Sequence, residues 1–198
     1  MALNGFTPVR YLNGAPWNGK TKMYLCQASN AIYVGDPVKL NSSAGAAGVV
    51  VNGINCEGMP DIDRAAAGNT LVGIVVAFLP LQSDLSVLYK AADSTKRIAL
   101  VADDPMTVFE CEESNSGTQI ANTQIGNNFD QVTWGAGSNT TGISVSGIDN
   151  ADASGTGSAQ FRVLGLPNRP GAGFGTGSTY GRFEVVINEH SYKSTTGT

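Results

Sequence analysis

Apolar and polar positions alternate along this chain in short runs of strand length, most clearly over residues 96–113. Ile98, Leu100 and Ala102 alternate with Ala99 and Val101, so both faces of the first run are apolar. That pattern predicts a strand buried on both sides. In the second run Thr107, Phe109 and Cys111 share one face, while Val108, Glu110 and Glu112 share the other. It predicts a strand with one wet face. Asp103-Asp104-Pro105 between them is a turn sequence, because the carboxylates accept local N–H bonds and proline fixes one φ. The expectation is a hairpin in the middle of a β-sheet core. Ile98, Leu100, Phe109 and Cys111 are its buried residues, and Glu110 and Glu112 face solvent or a neighbouring chain.

Other runs extend this reading. Residues 23–26, 31–34, 38–40 and 49–51 are short strand candidates, punctuated by Gly35-Asp36-Pro37 and Asn52-Gly53. Residues 70–79 form the strongest apolar run after the hairpin, and residues 86–90 read as a further strand. Residues 160–166 and 183–187 return to the core through Val163 and Val185. Residues 63–67 suggest one helical turn. No helix-length window carries a 3.6-residue apolar stripe. Many short strands with glycine-rich turns predict an all-β fold: a β-barrel, or a jelly-roll or β-tulip-like domain, with long Gly/Ser/Asn-rich loops. Residues 114–159 read as a loop-rich excursion anchored by Phe129, Val132 and Trp134, with a short strand around Ile143, Val145 and Ile148. The expected organisation is an extended N-terminal arm (1–22), a single β domain (23–193) and a flexible tail (194–198).

Charge changes the picture at the N-terminus. The chain has 198 residues, is only 14% charged, and carries a formal charge of −4. That balance argues against nucleic acid as the main partner. Yet residues 1–35 hold Arg10, Lys20 and Lys22 and no acid. Asn-Gly and Pro punctuation discourages regular structure there. Phe6, Tyr11 and Trp17 have little local structure to bury them. The combination predicts an arm laid on another surface through Phe6, Arg10, Tyr11, Trp17, Lys20 and Lys22. A solvated tail, or an arm folded back onto its own barrel, are the competing readings.

Cys26, Cys56 and Cys111 are odd in number and lack C-x-x-C spacing, so neither a disulfide framework nor a zinc site is expected. They read as small buried hydrophobes in a reducing compartment. The start lacks a signal-peptide pattern, and no apolar run reaches membrane-spanning length. No membrane partner is expected.

Candidate chemistry is sparse. Gly14 to Thr21 matches the P-loop pattern G-x-x-x-x-G-K-[ST]. A P-loop must leave a buried strand and open a helix, and the residues after Thr21 show no amphipathic helix. Gly171, Gly173, Gly175 and Gly177 lack dinucleotide-loop spacing. His190, the lone histidine, has no nucleophile-elbow sequence with it. Asp61 with Asp63, and Asp103 with Asp104, lack the further ligands of a calcium loop and read as turn or surface residues. No catalytic residue, metal or cofactor is expected.

Three stretches resemble a family of tailed-bacteriophage capsid cement, or decoration, proteins. They are Val-Ala-Asp-Asp-Pro-Met-Thr-Val-Phe-Glu over 101–110, Phe-Arg-Val-Leu-Gly-Leu-Pro-Asn-Arg-Pro over 161–170, and Phe-Glu-Val-Val-Ile-Asn-Glu-His-Ser-Tyr over 183–192. They lie in the family's order, and the resemblance covers roughly the C-terminal half. It implies a non-enzymatic protein that is made in the host cytoplasm and sits on the outer surface of the virion capsid. There it would bind the phage major capsid protein after expansion and clamp neighbouring subunits. It further implies self-association, as a homotrimer with a dimer as runner-up. Cementing needs contact area, on the order of 1,200–2,000 Å² in total, rather than chemistry. Extended arms and open strand edges suit that work. The alternatives are a β-sandwich ligand- or receptor-binding virion module, hinted at by Trp134 and Tyr180, and a P-loop nucleotide-binding enzyme.

Overall fold

The computed structural model describes residues 4–114, 117–133, 137–154, 159–170, 172–176 and 180–193. Trp134 and residues 194–198, the expected tail, lie outside the described residues. The chain is nearly all β. β2 (Lys22–Cys26), β3 (Pro37–Ala44), β6 (Pro60–Arg64), β7 (Gly73–Phe78) and β8 (Arg97–Ala102) form a closed barrel in the order β2-β6-β3-β7-β8. β1 (Thr7–Tyr11), β9 (Thr107–Glu112), β10 (Asn128–Thr133), β11 (Ser146–Ser154), β12 (Phe161–Gly165) and β13 (Arg182–Ile187) form a six-stranded sheet in the order β1-β9-β13-β12-β10-β11. A small hairpin, β4 (Val50–Val51) with β5 (Ile54–Asn55), lies outside both.

The barrel closes because its strands alternate. Tyr24, Cys26, Val38, Ile62, Val75, Ala99 and Val101 fill the interior. Leu25 and Ile98, of opposite parity, face outward and are covered by the β4–β5 hairpin through Val51 and Cys56. The six-stranded sheet curls until its far edge returns to β9. Glu113 bridges Ile148 in parallel, and the Ser114 N–H donates to the Ile148 carbonyl at 2.7 Å. Its inner face carries Phe109, Cys111, Phe129, Phe161, Val163, Phe183 and Val185, all buried. Leu71, Ile74 and Ala102 from the barrel join the same cluster, so the two sheets share a core.

The hairpin expected at residues 96–113 does not form. β8 pairs with β2 and β7, while β9 pairs with β1 and β13. The Asp103-Asp104-Pro105 turn carries the chain from one sheet to the other. Asp104 caps this corner, its Oδ1 accepting from the Met106 N–H at 2.9 Å. Turn chemistry sets where a strand ends but not which strand it next meets. Ile98, Phe109, Cys111, Val163 and Val185 are buried as expected, but Leu100 is only half-buried, because its parity places it on the barrel's outer wall. The face of β9 expected to be wet is largely closed: Val108 is fully buried and Glu112 is 5% exposed.

Three further expectations change. Residues 63–67 are not a helical turn, since Asp63 and Arg64 pair with Lys39 and Val38 of β3 and the Ala65 N–H donates to the Pro37 carbonyl at 3.0 Å. Residues 86–90 are not a strand. The Arg97 guanidinium takes the carbonyls of Val87, Tyr89 and Leu79, at 3.1, 2.7 and 2.8 Å, that a neighbouring strand would have used. The 114–159 excursion supplies two strands of the curled sheet, β10 and β11.

The N-terminal segment is not a free arm. β1 is a strand of the sheet, and Phe6 is 2% exposed and stacked on Phe161 at 4.4 Å between centroids. Gly5, at φ +68°, lies against Gly35 so closely that a Cβ would meet its Cα at 2.9 Å. The pattern of Asn-Gly turns was compatible with extension, but the apolar side chains found their partner within the chain.

Two stability outcomes follow from this packing. Phe109→Ala lowers stability by about 3–5 kcal/mol through lost transfer energy and a residual cavity, whereas Leu100→Ala costs about 1 kcal/mol, as denaturant midpoints will measure. Deleting residues 1–22 removes β1 and the Phe6 ring and collapses the melting transition. A truncated protein that melts with the parent would show the segment to be dispensable for folding.

Candidate functional site

The polar face of the curled sheet gathers charge by strand register. Glu110 on β9 lies opposite Glu184 on β13, and Glu112 lies opposite Arg182. Two carboxylates directly across a ladder repel. Three arginines offset this. Arg10 donates to Glu184 Oε2 through Nε at 3.2 Å and Nη2 at 2.5 Å. Arg182 reaches Glu110 at 3.3 Å and also pairs with Glu112, and Arg169 pairs with Glu110. Glu110 and Glu112 side chains are 12% and 5% exposed, so they are held by their own chain. Of the predicted contact residues, Arg10, Glu110 and Glu112 are brought together in this cluster. Its three cations balance its three anions, so it sets register more than it creates a field. The signal for Arg182 and Glu184 was present in the alternation of residues 182–187. Their partner Arg169 sits on a loop and had none.

The remaining predicted contacts are dispersed. Lys20 lies 3.6 Å from Asp104. Lys22 sits over the rings of Tyr24 and Tyr192, at 5.5 and 5.6 Å. Tyr11 donates its hydroxyl to Asn18 Oδ1 at 2.8 Å. Trp17 packs, half-buried, against the shared core. The basic, acid-free start is therefore matched by acids and rings from later in the chain, which its own sequence window does not contain.

Thr21 of the P-loop-like stretch leads into β2 and not into a helix, so the stretch lacks P-loop geometry. Asp61 is 2% exposed and accepts from Asn41 Nδ2 at 2.8 Å, Ser43 Oγ at 3.0 Å and the Gln27 N–H at 3.2 Å. Among the described residues no group of His, Cys, Asp and Glu is placed to hold a metal ion, and no helix is long and apolar enough to cross a membrane. The three cysteines are free and buried, and burial pushes the Cys26 thiol up to about 12.

His190 is 2% exposed at the junction of barrel and sheet, where it bridges Leu71. Its Nδ1 accepts from the Tyr192 N–H at 3.1 Å, which places the ring proton on Nε2. Beside it, the Tyr24 hydroxyl donates to Asp103 Oδ2 at 2.8 Å and lies 2.7 Å from the Tyr192 hydroxyl. Burial, first, then bonds to Tyr192 and Asp103 raise the Tyr24 pKa far above its ordinary value. This cluster fastens the C-terminal segment to β2 and to the turn that follows β8.

The outer wall of the barrel has an open apolar strip. Met23 on β2 pairs with Leu100 on β8, which pairs with Ala77 on β7. The strip continues the Leu25–Ile98 surface beyond the edge of the β4–β5 cover. Met23 is 44% exposed. Parity places Leu100 on this wall, but its lack of cover was not readable from the sequence. No protein-family model, curated protein or solved structure matches this chain.

Burial pushes the His190 pKa down to about 4, Lys193 adds to the shift, and Asp103 and Asp104 oppose it. The folded state therefore favours the neutral ring. Stability from this group is full above about pH 6.5 and is lost as pH falls toward 4, by on the order of 2 kcal/mol. Unfolding midpoints across this window, compared with His190→Gln, will show that slope reduced in the variant.

Proposed function

We propose that this protein is a non-enzymatic virion component that binds the outer surface of an expanded tailed-phage capsid and cements neighbouring major capsid protein subunits. The three stretches that resemble cement proteins support the reading. In the fold they fall at the crossover into β9, at β12 with the Arg169 loop, and at β13 with the His190 corner. The single structural observation that carries it is the open strip Met23–Leu100–Ala77. It is an uncharged row across three strands of a rigid wall, suited to repeated contact with a lattice.

The sheet edges bear on the mode of contact in this proposal. The outer edge of β1 is occupied, since the Trp17 N–H donates to the Val9 carbonyl and the Tyr11 N–H to the Ala15 carbonyl, at 3.2 and 2.8 Å. β11 is met by Ser114. Strand addition across subunits is therefore disfavoured, and side-chain faces carry the contact. Within this proposal the protein associates with itself as a homotrimer, with a dimer as the second possibility.

Met23→Asp and Leu100→Asp each place a charge in the strip on a half-exposed site. Each is expected to lower binding to expanded heads at least tenfold while leaving the melting temperature within a few degrees of the parent. Cosedimentation with purified heads measures binding, and unchanged binding in both variants overturns the assignment of this surface. A parent protein that fails to bind expanded heads at all overturns the cement reading itself.

A further inference from the structure

A cleft of about 550 Å³ opens where the end of β6 meets β10 and β11. Arg64, Ala66 and Asn30 line it from the barrel side, and Gln131, Val132 and Asp149 line it from the sheet. Residues far apart in sequence meet here only because the curled sheet docks on the barrel.

Arg64 is unlike the other arginines. Five of the six donate to a protein oxygen: Arg10 to Glu184, Arg97 to carbonyls, Arg162 to Asn128, Arg169 to Glu110, and Arg182 to Glu110 and Glu112. Arg64 is half-buried, and although its charge acts on Asp36 and Tyr33, its guanidinium makes no hydrogen bond or ion pair among the described residues. The neighbouring Asp63 is already engaged, by Asn30 Nδ2 at 2.7 Å and by the Arg64 backbone N–H at 2.7 Å. A guanidinium without an acceptor leaves its planar fork open, and that fork matches a carboxylate.

The surroundings narrow the ligand. Asp149 Oδ1 accepts from Ser114 Oγ at 3.2 Å and from the Ala151 N–H at 3.0 Å, which fixes a second carboxylate in the cleft wall. Asp63 and Asp149 together outweigh Arg64 in charge, so a dianion such as phosphate is repelled, and a singly charged ligand is held through the directed fork of Arg64 rather than by net charge. The Asn30 amide and the Asp149 carboxylate are groups that exchange hydrogen bonds with hydroxyls. Ala66 and Val132 offer short apolar surface to C–H groups. The volume lies within the range of about 300–1,000 Å³ typical of small-molecule sites. We infer that this cleft binds a small hydroxylated monocarboxylate, of the sugar-acid class, with its carboxylate in the fork of Arg64. The inference does not depend on capsid binding, because the cleft and the Met23–Leu100 strip share no residue.

Isothermal titration of the full chain with D-glucuronate, D-glucose, acetate, inorganic phosphate and a glucuronate trisaccharide tests it. Glucuronate is expected to bind with Kd on the order of 1 mM or tighter, and more tightly than glucose, acetate or phosphate. Arg64→Gln is expected to weaken it at least tenfold, and Arg64→Lys, which keeps the charge without the fork, to weaken it by an intermediate factor. Arg64 is half-exposed, and unchanged circular dichroism confirms folding of both variants. A trisaccharide that binds more tightly than the monomer assigns a polysaccharide as the source, and a weaker one assigns the free acid; both support the site. No glucuronate binding, equal binding of glucose, stronger binding of phosphate, or unchanged affinity in Arg64→Gln overturns it. An aspartate-rich peptide that binds where glucuronate does not also overturns it.

Discussion

One buried carboxylate, Asp36, ties the two sheets of this protein together. It is 1% exposed. Its Oδ1 accepts from Ser144 Oγ at 2.5 Å and Ser146 Oγ at 2.8 Å, and its Oδ2 accepts from the Tyr33 N–H at 2.8 Å. Ser144 leads into β11 and Ser146 is its first residue, while Asp36 leads into β3 of the barrel. Burial raises its pKa, and these three bonds oppose the rise. A carboxyl in this position is tolerated only because its oxygens are occupied, which makes the contact demanding of geometry. Backbone bonds around it repeat the constraint. Gly35 N–H donates to Val75 of β7 at 2.7 Å, Phe6 N–H donates to Gly35 at 3.0 Å, and Val34 exchanges bonds with Gly142 and Ser144 at 2.8 Å each.

The N-terminal segment, the barrel and the curled sheet therefore meet at a few residues, 33–36. The close approach of Gly5 to Gly35 lets Phe6 enter the shared core, where it stacks on Phe161. Once the core is shared, the relative placement of barrel and sheet is fixed by packing rather than by a linker. That rigidity creates the two surfaces of functional interest. The barrel wall leaves Met23 exposed and Leu100 half-buried on one side. The docking seam between barrel and sheet brings Arg64 opposite Gln131 and Asp149.

The same arrangement explains how charge is spent. The outer face of the sheet places Glu110 across from Glu184, a pairing that no local window would favour. Arg10, Arg169 and Arg182, drawn from three separate parts of the chain, neutralise it. Lys20 and Lys22 are matched in a similar way by Asp104 and by the rings of Tyr24 and Tyr192. What looks like a basic start is a set of halves whose counterparts lie elsewhere.

Much of this was legible in the sequence. Alternation alone placed Phe109, Cys111, Val163 and Val185 inside, marked both runs of residues 96–113 as strands, and set the all-β class. The absence of a helix after Thr21 discounted the P-loop pattern. These are local properties, because side chains on a strand alternate with a period of two whatever the strand pairs with. Pairing is not local. The turn at Asp103-Asp104-Pro105 ends β8 equally well in a hairpin or in a crossover, and only the competition among β1, β2, β7 and β13 for hydrogen-bond partners decided for the crossover. Asp36 read as a turn residue, since its serine partners lie more than a hundred positions away. Arg64 fell in the stretch expected to form one helical turn, and only the docking of β10 and β11 beside it made a cleft. The sequence by itself determined the all-β class and the buried parity of its strongest runs, and the tertiary structure decided which weaker runs become strands, which strands meet and which charges find partners, because those depend on contacts between distant residues.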